Sequence, residues 1–111
     1  MIPECIESNT VSLYKSLDFP KKWEKVNDLL RNVRAADPMI IYKNQKFWLF
    51  CNIDTNCEDD FSRELHIYCS VELTSNDWKP HCNNPFVNSP RGGRNGGIII
   101  DGDEIYRVGQ V

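Results

Sequence analysis

The chain has 111 residues, of which 41% are hydrophobic and 26% charged, with a formal net charge of −3 and an isoelectric point near 5.3. This composition is typical of one small globular domain, and its acidic balance argues against nucleic acid as the main partner because phosphate binding needs a basic surface. No apolar run approaches the length of a membrane span, and residues 1–10 lack the basic and apolar regions of a secretory signal. We therefore expect a cytoplasmic protein without a membrane partner.

The first predicted element covers residues 11–30, which read as two strands. A proline followed by good helix formers makes a short helix over residues 20–30 the alternative. A similar stretch later in the chain contains Pro80 and Pro85, and a helix interior does not tolerate them. The comparison of the two stretches favours strands at residues 11–30.

The middle of the chain reads as four strands within residues 35–87. Short runs rich in β-branched and aromatic residues alternate there with polar, turn-forming segments. The predicted segments are the strand DPMIIYK (37–43), the turn NQ (44–45), the strand KFWLFCNI (46–53), the polar loop TNCEDDFSR (55–63), the strand ELHIYCSVEL (64–73) and the strand WKPHCNNPFV (78–87).

The last predicted element is a tight β-hairpin. Residues 98–100 are three isoleucines, and residues 105–108 form a second apolar run. Asp101, Gly102 and Asp103 lie between the runs and have the composition of a hairpin turn.

An internal repeat of roughly fifty-five residues relates these elements. The two copies place aromatic residues on aromatic residues and turn residues on turn residues along most of the chain. The aligned positions are Tyr14-Lys15-Ser16 with Tyr68-Cys69-Ser70, Trp23 with Trp78, Asp37 with Asn95, Ile40 with Ile98, Ile41 with Ile99, Asn44 with Gly102, and Trp48 with Tyr106.

A repeat of this length with four strands per unit predicts an all-β fold of β-propeller-type blades. Residues 11–30 would be the outer strands of a first blade, residues 35–87 a complete blade, and residues 92–111 the inner strands of the next. The propeller is therefore predicted to be incomplete within one domain. The alternative is an antiparallel sandwich with chance internal similarity.

The ordered series of motifs in this repeat resembles a known family. The series is an Ala-Asp-Pro at the inner strand, an aromatic second strand, a Leu-x-x-Tyr-x-Ser third strand and Trp78 before the fourth. It is similar to the propeller domain at the N-terminal side of plant glucosamine inositolphosphorylceramide transferases and, more distantly, to the propellers of glycoside hydrolase family 43. The resemblance implies a carbohydrate-associated domain. This chain departs from the family at residues 94–97, where Arg-Asn-Gly-Gly replaces Arg-Pro-Ala-Gly.

Asp37 is the candidate catalytic residue. It resembles the inner-strand aspartate that serves as a base in related glycosidases. We expect it to face a channel or cleft shared with Arg94, because the repeat aligns Arg94 one residue before the position of Asp37. Glycoside hydrolysis needs two carboxyl groups, whereas the repeat equivalent of Asp37 is Asn95, which is neither an acid nor a base. The alternative is that Asp37 precedes a proline in an ordinary turn.

Five residues are candidate ligand-binding residues. Arg91, Arg94 and Asn95 lie among glycines, where an open backbone lets a guanidinium bind carboxylate, phosphate or sugar hydroxyls. Trp48 and Tyr106 could stack on sugar rings. The alternatives are a flexible connection for the glycine segment and core packing for the aromatics.

The cysteines and histidines do not predict a metal site or a disulfide framework. The five cysteines are irregularly spaced and none forms a C-x-x-C pair. His66 and Cys69 are three residues apart on a predicted strand, so their side chains would point to opposite faces. We expect free thiols, no metal and no other cofactor.

The sequence therefore predicts a non-catalytic carbohydrate-associated module that assembles with copies of itself. One blade is divided between the two ends of the chain, so residues 97–111 of one copy could pair with residues 11–30 of another in a dimer or trimer. The alternatives are a glycoside hydrolase-like enzyme whose site is completed by another chain and a structural remnant without a ligand.

Overall fold

The computed structural model describes residues 1–4 and 6–110, and their regular structure is antiparallel β-sheet apart from one 3-10 helix at Ile6–Ser8. The predicted all-β fold is therefore confirmed. The strands are β1 (Thr10–Asp18), β2 (Lys22–Arg31), β3 (Ala35–Lys43), β4 (Lys46–Ile53), β5 (Glu64–Ser70), β6 (Lys79–Pro80), β7 (Val87–Asn88), β8 (Arg94–Asp101) and β9 (Glu104–Gln110).

The strands form three sheets in chain order. β1 and β2 form a two-stranded sheet, and β8 and β9 form another. Between them lies a central sheet of order β3-β4-β5-β6, with β7 also paired to β5. The described residues show no closed sheet, so the assignment of these sheets to propeller blades stays a prediction.

Both predicted hairpin turns are confirmed. Asn44 and Gln45 join β3 to β4 with φ values of 55° and 65°, and positive φ at both central residues suits the right-handed twist of the flanking strands. Gly102 has φ 61° in the turn between β8 and β9. Asparagine and glycine tolerate this region better than other residues, and this local preference made the turns readable from the sequence.

Three details of the predicted elements need correction. The helix considered for residues 20–30 is wrong, because β2 is a strand that pairs with β1. The third central strand ends at Ser70, three residues earlier than predicted. The predicted fourth strand, residues 78–87, is two short strands, β6 and β7, separated by turns. Pro80 and Pro85 explain the break, because neither has an N–H group to donate to a ladder.

The hydrophobic core lies between the β1–β2 hairpin and one face of the central sheet. Burying a large apolar side chain contributes about 1.5–3 kcal/mol, so these side chains hold the two sheets together. The core residues are Val11, Leu13, Leu29, Leu30, Ala35, Leu49, Cys51, Ile53 and Trp78.

The β8–β9 hairpin packs on the opposite side of the central sheet. Each of the two sheets contains a β-bulge at the corresponding point. The β3–β4 ladder shifts register between Ala36 and Met39, and the β8–β9 ladder shifts between Asn95 and Gly97. The repeat aligns these two positions. Each bulge therefore redirects the backbone at the same point of its unit, where Asp37 and Asn95 lie.

The four described cysteines, Cys51, Cys57, Cys69 and Cys82, are free thiols, and Cys5 lies outside the described residues. Burial raises the pKa of the Cys51 thiol to about 12, whereas Cys57 and Cys82 are exposed. The thiolate is the reactive form, so we expect native protein at neutral pH to be alkylated at Cys57 and Cys82 and not at Cys51.

Mass spectrometry after brief iodoacetamide treatment measures this difference. The same treatment in denaturant without reductant is expected to modify all five cysteines of the chain. Two fewer adducts in denaturant would reveal a disulfide, and rapid modification of Cys51 in the native protein would contradict its burial.

Within the described residues, no helix has both the length and the apolar character needed to cross a membrane.

Candidate functional site

The candidate site is centred on Asp37, which lies in the bulge of β3. Asp37 has φ 50°, a left-handed conformation that aspartate tolerates better than most residues. Its Oδ2 accepts a hydrogen bond of 2.5 Å from Nε of Arg94 on β8. Asp37 and Arg94 are therefore in contact although they are 57 positions apart, and the channel or cleft that they would share stays a prediction.

The pair is partly open to solvent. The side chains of Arg94 and Asp37 are 37% and 25% exposed. The hydrogen bond to Asp37 raises the pKa of Arg94, and the charges of Asp37 and Glu4 act in the same direction against partial desolvation. Glu4 is the second carboxylate here, since its Oε2 lies 3.5 Å from the backbone nitrogen of Asp37. The arrangement presents a fixed carboxylate beside a fixed guanidinium.

Asn95 lies next to this pair but is buried, with 3% exposure. Its side-chain Nδ2 donates to the carbonyl of Asp37 at 3.0 Å, and its Oδ1 accepts from Nε of Arg107 at 2.5 Å. Its backbone N–H donates to Oδ1 of Asn52 at 2.8 Å. Both ends of the Asn95 amide are thus engaged within the chain, and they fix the backbone of Asp37.

Arg107 supports the glycine segment, Gly92 and Gly93, that precedes Arg94. Its Nη1 donates to the carbonyl of Gly92 at 2.7 Å, and its Nη2 donates to the carbonyl of Gly93. Desolvation lowers the pKa of Arg107. Neutral carbonyls and an amide hold this guanidinium, so its role in the site is to position the backbone that carries Arg94.

Asn52 completes the network from the central sheet. It is fully buried, and its Nδ2 donates to the carbonyls of Gly93 at 2.6 Å and Glu64 at 3.1 Å. Asn52 and Arg107 were not among the residues predicted from the sequence. A signal was present, because each is polar in an otherwise apolar strand segment, and such a residue needs a buried partner.

The other candidate residues make their contacts elsewhere. Trp48 on β4 is half-buried, and its indole N–H donates to the carbonyl of Lys43 at 3.0 Å. Tyr106 on β9 is 50% exposed and donates to Glu104. Arg91 is exposed, and its backbone N–H donates to Oγ of Ser89 at 3.2 Å. The structure thus brings together Asp37, Arg94 and Asn95. The catalytic role of Asp37 and the ligand-binding roles of the other five candidates stay predictions.

Metal coordination has no preformed cluster in the part of the chain that the structure describes. No three residues among its histidines, cysteines, aspartates and glutamates are grouped closely enough to hold an ion. Asp37 and Arg94 supply the site with one hydrogen-bond acceptor group and one donor group of opposite charge.

Comparison with known proteins assigns the family. No solved structure matches the chain. Glucosamine inositolphosphorylceramide transferase 1 of Arabidopsis thaliana is 33% identical to it over 114 residues, which cover 99% of this chain and 14% of the plant protein. The family described as glucosamine inositolphosphorylceramide transferase 1, N-terminal, matches residues 1–111. The chain therefore belongs to this family of N-terminal domains.

Proposed function

We propose that the chain is a non-catalytic, carbohydrate-associated module of propeller-type blades that assembles with copies of itself. Carbohydrate association is supported by the family, because the name of the plant relative describes a transferase of glucosamine. The chain spans about one seventh of that relative's length, which is a coverage of 14%. The match therefore does not assign the relative's transferase activity to this chain.

The observation that carries the proposal is the Asp37–Arg94 pair. A carboxylate accepts hydrogen bonds and a guanidinium donates them, so side by side they suit the paired hydroxyl groups of a sugar. The network through Asn95 and Arg107 fixes the backbone that carries both residues, and the two side chains hold each other, which lowers the entropy lost when a ligand binds.

We propose that the chain is non-catalytic because only one of the two equivalent repeat positions carries a carboxylate. A glycosidase needs two carboxyl groups about 5–5.5 Å or about 6.5–9.5 Å apart. Asp37 is bound by Arg94, and the equivalent residue Asn95 carries a buried amide. The other carboxylate at the site, Glu4, lies outside the repeat and accepts from the backbone N–H of Asp37. The second candidate function is a glycoside hydrolase-like enzyme that uses Asp37 with a carboxylate from another chain or missing blades. The third is a structural remnant without a ligand.

The propeller arrangement is proposed from the shared geometry of the repeats. β3 and β8 carry bulges at equivalent positions, and the β1–β2 and β8–β9 hairpins flank the central sheet on its two sides. A stack of four-stranded units related in this way is the arrangement found in propeller blades.

The test is glycan-array binding of the wild-type chain with Asp37→Asn and Arg94→Gln variants. Asparagine keeps the size of Asp37 and its tolerance of positive φ, so the fold should survive the exchange. We expect at least tenfold weaker binding for each variant, which is a loss of about 1.4 kcal/mol. The control is Lys79→Gln, whose side chain is 71% exposed on β6.

Chromogenic glycosides separate the two leading functions. Hydrolysis that Asp37→Asn abolishes would establish the enzyme and overturn the non-catalytic proposal. Wild-type protein that is folded but binds no glycan on the array would leave the structural remnant as the better description.

A further inference from the structure

The β1–β2 hairpin and the β8–β9 hairpin correspond to complementary halves of one repeat unit. The β8–β9 hairpin is equivalent to β3 and β4, and the β1–β2 hairpin is equivalent to β5 and the strands after it. In the central sheet, β4 pairs antiparallel with β5. The corresponding edges of β9 and β1 do not pair with each other within the described chain, because each belongs to a separate two-stranded sheet.

We infer that β9 of one copy pairs antiparallel with β1 of a second copy, in the register that β4 and β5 have in the central sheet. Trp48 lies opposite Cys69, and Leu49 lies opposite Tyr68. The repeat converts these pairs into Tyr106 opposite Lys15 and Arg107 opposite Tyr14 of the second copy. The inference rests on the self-association in the proposed function and specifies its surface.

The backbone N–H and carbonyl of Tyr14 on β1 are bonded by Met1, which is not part of a strand. The N–H of Tyr14 donates to the carbonyl of Met1 at 2.8 Å, and the amino group of Met1 donates to the carbonyl of Tyr14 at 3.0 Å. An antiparallel strand at this edge would bond the same two backbone groups of Tyr14. In the assembly, Arg107 of the second copy takes the place of Met1.

Charge complementarity favours a second copy as the occupant. The turn of the β8–β9 hairpin carries Asp101, Asp103 and Glu104, all exposed. Residues 15–22, which it would approach, carry three exposed lysines and one aspartate. In the inferred register, Glu104 lies diagonal to Lys15 across the strands, a distance that long side chains span.

Exposed apolar side chains support the same contact. Ile99 and Tyr106 face each other across the β8–β9 ladder and are 56% and 50% exposed, and Val108 lies on the same face at 39%. Tyr42 on β3 is 60% exposed. A second copy that adds its hairpin to β1 brings this apolar face toward the uncovered β3 side of the central sheet. The contact buries surface on both copies.

Charge reversal tests the inferred edge. The β8–β9 variant carries Asp101→Lys and Glu104→Lys, the β1–β2 variant carries Lys15→Glu and Lys22→Glu, and the restored variant carries all four changes. Light scattering over micromolar concentrations measures the association midpoint, which is the protein concentration at which half of the chains are in the oligomer. We expect each pair of changes to raise that midpoint at least tenfold and the restored variant to return toward the wild-type value. Lys79→Glu is the control, since this exposed lysine lies on β6.

Hydrogen exchange locates the contact independently of the variants. We expect the amides of residues 12–16 and 105–109 to gain protection as the wild-type concentration rises. The variant Ser16→Pro removes one N–H group on the outer edge of β1, two residues beyond Tyr14, and should weaken association while the melting temperature of the monomer is kept.

The results distinguish a failure of the inferred β9–β1 contact from a failure of the proposed function. A folded wild-type monomer at all concentrations would overturn both the inferred edge and the self-association. An oligomer whose protection lies elsewhere, or that charge reversal leaves unchanged, would overturn the edge and leave self-association standing. Glycan-array binding of the same samples decides the carbohydrate association separately.

Discussion

Asn52→Leu is expected to lower the free energy of unfolding by about 3 kcal/mol or more. Leucine has a similar size, so the loss comes from hydrogen bonds and not from a cavity. It removes the Asn52 partner of the buried Asn95 N–H and of the part-buried Glu64 carbonyl, and it removes one of the two donors to the Gly93 carbonyl, which keeps Arg107. Each unsatisfied buried group costs about 1–3 kcal/mol.

Urea denaturation followed by circular dichroism measures this loss. The matched control is Asn56→Leu, the same exchange at an exposed position in the loop after β4, which should stay within about 0.5 kcal/mol of wild type. If the free energy of unfolding of Asn52→Leu lies within about 1 kcal/mol of the wild-type value, the network does not hold the β8–β9 hairpin on the central sheet.

The elements that the sequence predicted correctly are those decided by local chemistry. Hairpin turns at Asn44 and Gly102 depend on which residues tolerate positive φ, and the neighbouring apolar runs supply the strands. β6 and β7 were harder to predict, because the residues between Trp78 and Val87 make few ladder bonds and are held by side chains. The Asn84 side chain, for example, bonds the backbone N–H and carbonyl of Ile67.

The candidate site also contains one contact that the sequence predicts and others that only the structure shows. The contact between Asp37 and Arg94 spans 57 residues and was predictable because the repeat aligns their surroundings. Asn52 and Arg107 join the site through contacts with the glycine segment, 41 and 14 residues away. No local pattern specifies which distant carbonyl a buried polar side chain will bind, so their roles required the folded structure.

Gly93→Ala is expected to have the second large effect, lowering the melting temperature by about 10 °C or more. A Cβ atom at Gly93 would lie 2.1 Å from the carbonyl oxygen of Arg63 and 2.8 Å from that of Ser62. These are backbone atoms, so no side-chain rotation relieves the clash. Movement of Gly93 would also break the bonds that its carbonyl accepts from Asn52 and Arg107.

The control for Gly93→Ala is Gly102→Ala, which separates steric overlap from backbone strain. Gly102 has φ 61°, and no atom lies within 4 Å of the position that an added Cβ would take, so alanine there costs only the left-handed conformation, about 1–2 kcal/mol. Differential scanning calorimetry of both variants makes the comparison. Because Gly93 precedes Arg94, Gly93→Ala should also weaken glycan binding, whereas Gly102→Ala should not. A Gly93→Ala protein that melts at or above the temperature of Gly102→Ala would show that the close approach to Arg63 does not constrain the fold.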